Sequence, residues 1–158
     1  MTTITGRVGG RSQGYDVNLG GTPTELKGRV GGVHIGRDLV LQITRTQVRG
    51  RLGGPTIGHD VNLALGNHTL SGRLGGGILG RNVDLTASGS SVAGRCGGLM
   101  SGFDVMLTIT ADGVKGRLGG ARIGADVSLT GDAPPLLMAL AATLAYDSLV
   151  EDSTATGG

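Results

Sequence analysis

The chain has 158 residues and 33 glycines, about three times the usual ~7% share, with one Phe, two Tyr and no Trp. The length fits one domain whose core must be built from Leu, Val, Ile and Ala. The glycines do not recur every third residue, which excludes collagen, Cys96 has no second cysteine, which excludes a disulfide scaffold, and 38% apolar residues at strict spacing argue against simple disorder.

The net charge of +2 is unevenly spread. Residues 1–131 carry all 14 Lys and Arg against 8 Asp and Glu, a surplus of +6; residues 132–158 carry Asp132, Asp147, Glu151 and Asp152 and no base, hence −4. A basic body with an acidic end suits contact with an anionic surface, and it equally serves solubility. The opening Met-Thr-Thr-Ile-Thr-Gly-Arg has no apolar signal region, and a single cysteine fits a reducing cytoplasm. The longest apolar run, Leu136 to Ala142, is far short of the ~20 residues that span a bilayer. These features predict a cytoplasmic protein, at most peripheral to a membrane.

From the N-terminus onward the chain is a repeat. Gly-Arg-x-Gly-Gly begins at Gly6, Gly28, Gly50, Gly72, Gly94 and Gly116, always 22 residues apart. A further glycine follows eight residues later, at Gly14, Gly36, Gly58, Gly80, Gly102 and Gly124. Two residues on stands Asp16, Asp38, Asp60, Asp104 or Asp126, with Asn82 in the fourth unit. Each unit holds two segments of period two. In the third, Val48, Gly50 and Leu52 alternate with Arg49, Arg51 and Gly53; Ile57, Val61, Leu63 and Leu65 then alternate with Gly58, Asp60, Asn62 and Ala64. Both read as half-buried strands, so six units carry twelve.

An antiparallel meander with two-residue loops pairs Leu26 with Leu41, Gly28 with Leu39 and Arg29 with Asp38, and in the next hairpin Leu41 with Val48. It predicts one inner belt: Leu19, Leu26, Leu41, Val48, Leu63, Leu70, Leu85, Val92, Leu107, Val114, Leu129 and Leu136. Such a belt is worth ~1.5–3 kcal/mol per buried residue, against ~0.2–1 kcal/mol for each outer Arg–Asp pair, so the pairs chiefly set register. Closing the sheet into a barrel needs a net stagger, which bulges at the glycine pairs would supply.

Residues 132–152 form the last element. Asp132 is placed to cap a helix, and Pro134 and Pro135 suit its first turn. Leu136-Leu-Met-Ala-Leu-Ala-Ala-Thr-Leu-Ala-Tyr146 is apolar all round and slim, which suits a helix inside a glycine-lined barrel. Residues 153–158 read as a flexible end. The fold predicted is a 12-stranded antiparallel β-barrel around a buried C-terminal helix. The alternative is a β-solenoid of six 22-residue rungs capped by that helix, since strict periodicity suits stacked rungs. Stacked rungs place arginines ~4.8 Å apart, which is repulsive unless aspartates interleave.

The ending Pro135-Leu-Leu-Met-Ala-Leu-Ala-Ala-Thr-Leu-Ala-Tyr-Asp-Ser-Leu-Val-Glu-Asp152 resembles that of LURP-one-related proteins, as does the spacing from Val92-Ala-Gly-Arg95 to the helix. The layout of twelve strands around a hydrophobic helix is similar to the tubby-like superfamily, which includes the phospholipid scramblases. The resemblance implies the barrel fold and contact with phosphoinositides or membranes through basic residues. It assigns no individual binding residue.

Motifs for chemistry are weak. Gly75-Gly76-Gly77-Ile78-Leu79-Gly80 fits G-x-G-x-x-G, yet no strand-then-helix unit surrounds it. His34, His59 and His68 have no ligand spacing, and G-G-x-x-x-G-x-D departs from the calcium-binding β-roll by two residues. Cys96 stands where other units have Val or Leu, so it reads as a buried small hydrophobe. No enzyme activity, cofactor or metal is predicted. The candidate anion-binding residues are the repeat arginines Arg7, Arg29, Arg51, Arg73, Arg95 and Arg117, either held by the aspartates or open to phosphates. Few aromatics argue against nucleic acid. Three functions stay open: a module binding anionic lipid or other phosphate groups, a self-assembling structural repeat forming homo-oligomers, and a stable scaffold for a protein partner.

Overall fold

The computed structural model describes residues 1–10, 14–32, 36–54, 58–75, 80–97, 102–119 and 124–157, with side chains up to Val150. His34, Ile57 and the run Gly77-Ile78-Leu79 lie outside the described residues. Each unit supplies two strands, as its period-two pattern requires. In chain order they are β1 (Thr2–Gly9), β2 (Gly14–Thr22), β3 (Glu25–Gly31), β4 (Gly36–Ile43), β5 (Gln47–Gly53), β6 (Gly58–Leu65), β7 (Thr69–Leu74), β8 (Arg81–Ser88), β9 (Ser91–Gly97), β10 (Gly102–Ile109), β11 (Gly113–Gly119) and β12 (Gly124–Gly131). Every neighbouring pair is antiparallel, and β1 pairs with β12, so the sheet closes into a barrel. The solenoid is thereby excluded, because its rungs would stack in parallel.

Within units the register is the expected one: Leu26 faces Leu41, Gly28 faces Leu39 and Arg29 faces Asp38. Between units it differs. Leu41 faces Gly50, and Val48 faces Ile43 rather than Leu41. Local chemistry explains the shift. The Thr44 hydroxyl accepts the amide N–H groups of Thr46 (3.4 Å) and Gln47 (3.1 Å), which places the turn at Arg45-Thr46. Thr22 does the same for Thr24 and Glu25 around Pro23-Thr24. Moving a turn by one residue moves the pairing by two, so every side chain keeps its face.

This shift supplies the stagger without bulges. Gly28 faces Leu39, which faces Leu52, 24 residues further on, where the repeat advances only 22. Two residues per unit over six units give a stagger of 2 × 6 = 12, and the β1–β12 seam continues the pattern with Gly6 facing Leu129. Twelve strands with that stagger tilt by about 35° on a radius of about 11 Å, given a rise of ~3.3 Å and a spacing of ~4.8 Å. Once the wall's Leu and Val chains are seated, the interior fits one helix about 10 Å across.

That helix is α1 (Pro135–Gly157). It is buried from Leu136 to Ser148 and packs chiefly against β1–β3 and β8–β12. Its two central hydroxyls bond within the helix, Thr143 to the Ala139 carbonyl (2.7 Å) and Ser148 to that of Leu144 (2.9 Å). It runs past residue 152, since neither Pro nor Gly interrupts the chain between Leu136 and Thr156.

Two expectations for this segment are corrected. Leu136 belongs to the helix, and the twelfth belt position is Ile4, which faces Leu19. Asp132 caps no helix: its Oδ1 accepts the Thr3 N–H (2.7 Å) and its own N–H donates to the Thr3 carbonyl (3.2 Å), extending the β1–β12 seam. Pro134 supplies the carbonyl that starts the helix, accepting from Leu137 and Met138 at 3.0 and 3.1 Å. Two consecutive prolines bring no N–H to the first turn, so fewer donors need a cap.

Each inward glycine lies against a belt leucine of the next strand. A Cβ on Gly50 would sit 1.8 Å from the Val40 carbonyl oxygen and 3.1 Å from Leu41 Cα. Equivalent clashes arise at Gly6, Gly28, Gly72, Gly94 and Gly116. Gly50→Ala should therefore destabilise by at least about 1–3 kcal/mol, the usual effect of overpacking, although alanine costs less backbone entropy. Denaturant midpoints measure this, with exposed-wall Ser128→Ala as the near-neutral control. Deleting residues 132–158 removes the interior helix, and the remainder should lose its cooperative unfolding transition in the same assay.

Candidate functional site

The repeat arginines are fixed by the hairpins that carry them. Arg7 donates to Asp16 at 2.7 Å, Arg29 to Asp38 at 3.1 Å, Arg51 to Asp60 at 2.8 Å, Arg95 to Asp104 at 2.8 Å and Arg117 to Asp126 at 2.9 Å. Arg73 donates instead to the neutral Oδ1 of Asn82, at 2.8 Å. Arg7 also reaches the Gly10 carbonyl through Nε (3.1 Å) and Nη2 (2.8 Å), and Arg51 does likewise at Gly54. Each of these two staples the start of a loop to its strand. The pairs are largely solvated, so each is worth only ~0–1 kcal/mol.

Because the wall is staggered, the outward residues of neighbouring strands align in six equivalent rows of four. They are Thr5–Asn18–Arg29–Asp38, Lys27–Val40–Arg51–Asp60, Arg49–Asn62–Arg73–Asn82, Ser71–Asp84–Arg95–Asp104, Ala93–Met106–Arg117–Asp126 and Lys115–Ser128–Arg7–Asp16. Their formal charges run 0, +1, +2, −1, 0 and +1. The third row alone holds two cations and no carboxylate, and Gln42 extends it beyond Arg49. The strip Gln42–Arg49–Asn62–Arg73–Asn82 thus crosses β4 to β8, about 19 Å at ~4.8 Å per strand, with its arginines about 10 Å apart. Arg49 is exposed and has no hydrogen-bond or ion-pair partner among the described residues. Guanidinium groups interleaved with side-chain amides offer donors to an anion over these five positions, and Glu25, the next residue beyond Gln42, is ion-paired with Lys27.

The wall is not that of a membrane-spanning barrel, whose outward positions would be apolar. Helix α1 occupies the interior, and among the described residues no helix is long and apolar enough to cross a membrane. Among the described residues no group of three or more His, Cys, Asp and Glu is placed to hold a metal. His59 and His68 stand apart, on β6 and in the β6–β7 turn. Among the described residues the closed ladder leaves no unpaired strand edge.

One inward layer departs from the apolar repeat. Next to the Gly-Gly loops stand Tyr15, Arg37, His59, Arg81, Phe103 and Ala125, one per unit. Arg81 donates to Asp147 of the helix at 2.5 Å, and the Phe103 ring meets Tyr146 edge-on at 4.6 Å. Cys96, fully buried beside Phe103 and Val83, has its thiol pushed up to about 12. Burial is the main cause, followed by the Asp147 charge, with Arg81 and Arg95 opposing. The thiol is thus protonated and inert, as expected for a core position.

A family signal would have to come from elsewhere: no family model matches the chain, and neither a curated protein nor a solved structure does.

Between pH 9 and pH 12 the unfolded chain releases the Cys96 proton and the folded chain keeps it. Stability is unaffected below that window and falls within it, by up to ~1.4 kcal/mol per pH unit. The difference between wild type and Cys96→Ala across alkaline pH isolates this slope, and what remains in the variant includes that of Tyr146, whose hydroxyl is also pushed up by burial.

Proposed function

We propose that this protein is a non-catalytic module that binds phosphate groups on the strip Gln42–Arg49–Asn62–Arg73–Asn82. The observation that carries the reading is the +2 charge of that row amid rows of −1 to +1. Five of the six repeat arginines expected to bind anions are already held by carboxylates, so of that set the reading keeps Arg73. It adds Arg49, which is outside the Gly-Arg motif. Two guanidinium groups about 10 Å apart suit two phosphates of a surface or one extended polyanion better than a single small ion. The helix inside the barrel supports an outer-wall site over a barrel-cavity ligand.

The phosphates can belong to lipid headgroups or to free ligands, and two assays separate these sources. Co-sedimentation uses phosphatidylcholine vesicles with and without phosphatidylglycerol, at low and high salt. Amide-shift titration uses inorganic phosphate. The double variant Arg49→Gln/Arg73→Gln should bind anionic vesicles about 30-fold more weakly, at ~1 kcal/mol per basic residue near an anionic leaflet. High salt should abolish the wild-type binding. Arg95→Gln is the control, since its row already carries two carboxylates. If the double variant keeps wild-type affinity for vesicles and phosphate alike, the reading is wrong.

A further inference from the structure

At one end of the barrel, beside the strip, the β2–β3 and β4–β5 turns enclose a shallow hollow lined by Pro23, Thr24, Gln42, Ile43, Thr44 and Arg45. Its surface is chiefly apolar: Ile43 is half-buried and packs against the core, and Pro23 and the threonine methyl groups add to the apolar lining. Two cations stand at it or next to its lining. Arg45 lines the hollow, and Arg49 faces Gln42, another lining residue, across the β4–β5 ladder. Both arginines are exposed, and neither has a hydrogen-bond or ion-pair partner among the described residues. The nearby carboxylate Glu25 faces Gln42 and is ion-paired with Lys27 at 3.4 Å.

The repeat makes this combination singular. At the place of Arg45 the other turns carry Pro23, Asn67, Gly89 and Ala111; at the place of Arg49 the other units carry Thr5, Lys27, Ser71, Ala93 and Lys115. Only the β4–β5 hairpin puts cations at both positions. We infer that this hollow, with Arg45 and Arg49, binds a soluble phosphate monoester carrying a short apolar body. The inference rests on the anion-binding reading above and names its ligand class. A bare phosphate would leave the apolar lining in water, whereas a short alkyl or aryl body covers it while the head reaches the guanidinium groups. The hollow spans only two turns, which matches a short body rather than a bilayer.

The test uses the full chain and three probes: hexyl phosphate, inorganic phosphate and hexanol. Binding is followed by amide shifts of Thr24, Ile43, Thr44 and Arg45. Hexyl phosphate should bind at least about tenfold tighter than inorganic phosphate, the equivalent of ~1.4 kcal/mol. Its affinity should fall about fivefold in Arg45→Gln, the equivalent of ~1 kcal/mol, and likewise in Gln42→Glu, which sets a carboxylate against Arg49. Both positions are exposed, and unchanged denaturant midpoints confirm that the variants fold. If hexyl phosphate binds no tighter than inorganic phosphate, while phosphate still shifts amides around Arg49 and Arg73, the hollow is overturned and the anion strip stands. If neither ion binds, the hollow is overturned, and the anion strip falls with it when anionic vesicles also fail to bind. If hexanol alone matches hexyl phosphate, the arginines have no part and the inference fails. It also fails if anionic vesicles shift these amides and hexyl phosphate does not.

Discussion

The structure depends on one close contact made six times: an inward glycine against the backbone of a belt leucine on the neighbouring strand. Gly6 meets Leu129, Gly28 meets Leu19, Gly50 meets Leu41, Gly72 meets Leu63, Gly94 meets Leu85 and Gly116 meets Leu107, with the leucine Cα 2.8–3.1 Å from where a Cβ would stand. These six contacts lie in the between-unit ladders that carry the stagger. A side chain there would push the strands apart where the register advances two residues. Without that advance the sheet cannot tilt and close on a radius that holds one helix. The invariance of Gly in Gly-Arg-x-Gly-Gly is therefore a packing requirement at the point of closure.

A sixfold wall and a helix apolar on all sides leave the helix rotation almost undetermined. The variable inward layer resolves it. Arg37, His59 and Arg81 form a polar arc, while Phe103, Ala125 and Tyr15 form a largely apolar one. Asp147 turns to the first through Arg81 and Tyr146 to the second through Phe103. Asp147 is almost fully buried and Arg81 only partly so, hence removing Arg81 would take a close counter-ion from a buried charge. Such a pair is better understood as selecting one orientation than as adding net stability.

Repetition made the fold legible. Period-two segments, the within-unit pairing of Arg29 with Asp38 and the slim apolar tail all point to a closed barrel around a helix, and the structure has that form. What escaped was local. Apolar spacing alone permits a turn at Thr44-Arg45 or at Arg45-Thr46, and the choice lies with a threonine hydroxyl. Asp132 looks like a cap because of the prolines after it, yet the open end of β1 offers it a backbone partner 129 residues away. Leu136 continues the spacing of the belt in sequence but comes after two prolines that end the strand pattern.

The candidate site was hidden for a different reason. The sixfold motif draws attention to residues that every unit shares, and shared residues serve the barrel: the arginines hold hairpins and loops. A single binding site on a repeat protein has to arise where one unit departs from the rest. Asn82 in place of aspartate and Arg49 in place of a variable residue are both visible in the sequence. They belong to different units and are 33 residues apart, so nothing in the linear order joins them. The two-residue stagger does, because in the between-unit β6–β7 ladder it sets Asn62 against Arg73 and so brings Arg49, Asn62, Arg73 and Asn82 into one row. The offset that lets the barrel close around its helix also assembles the strip on its outer wall.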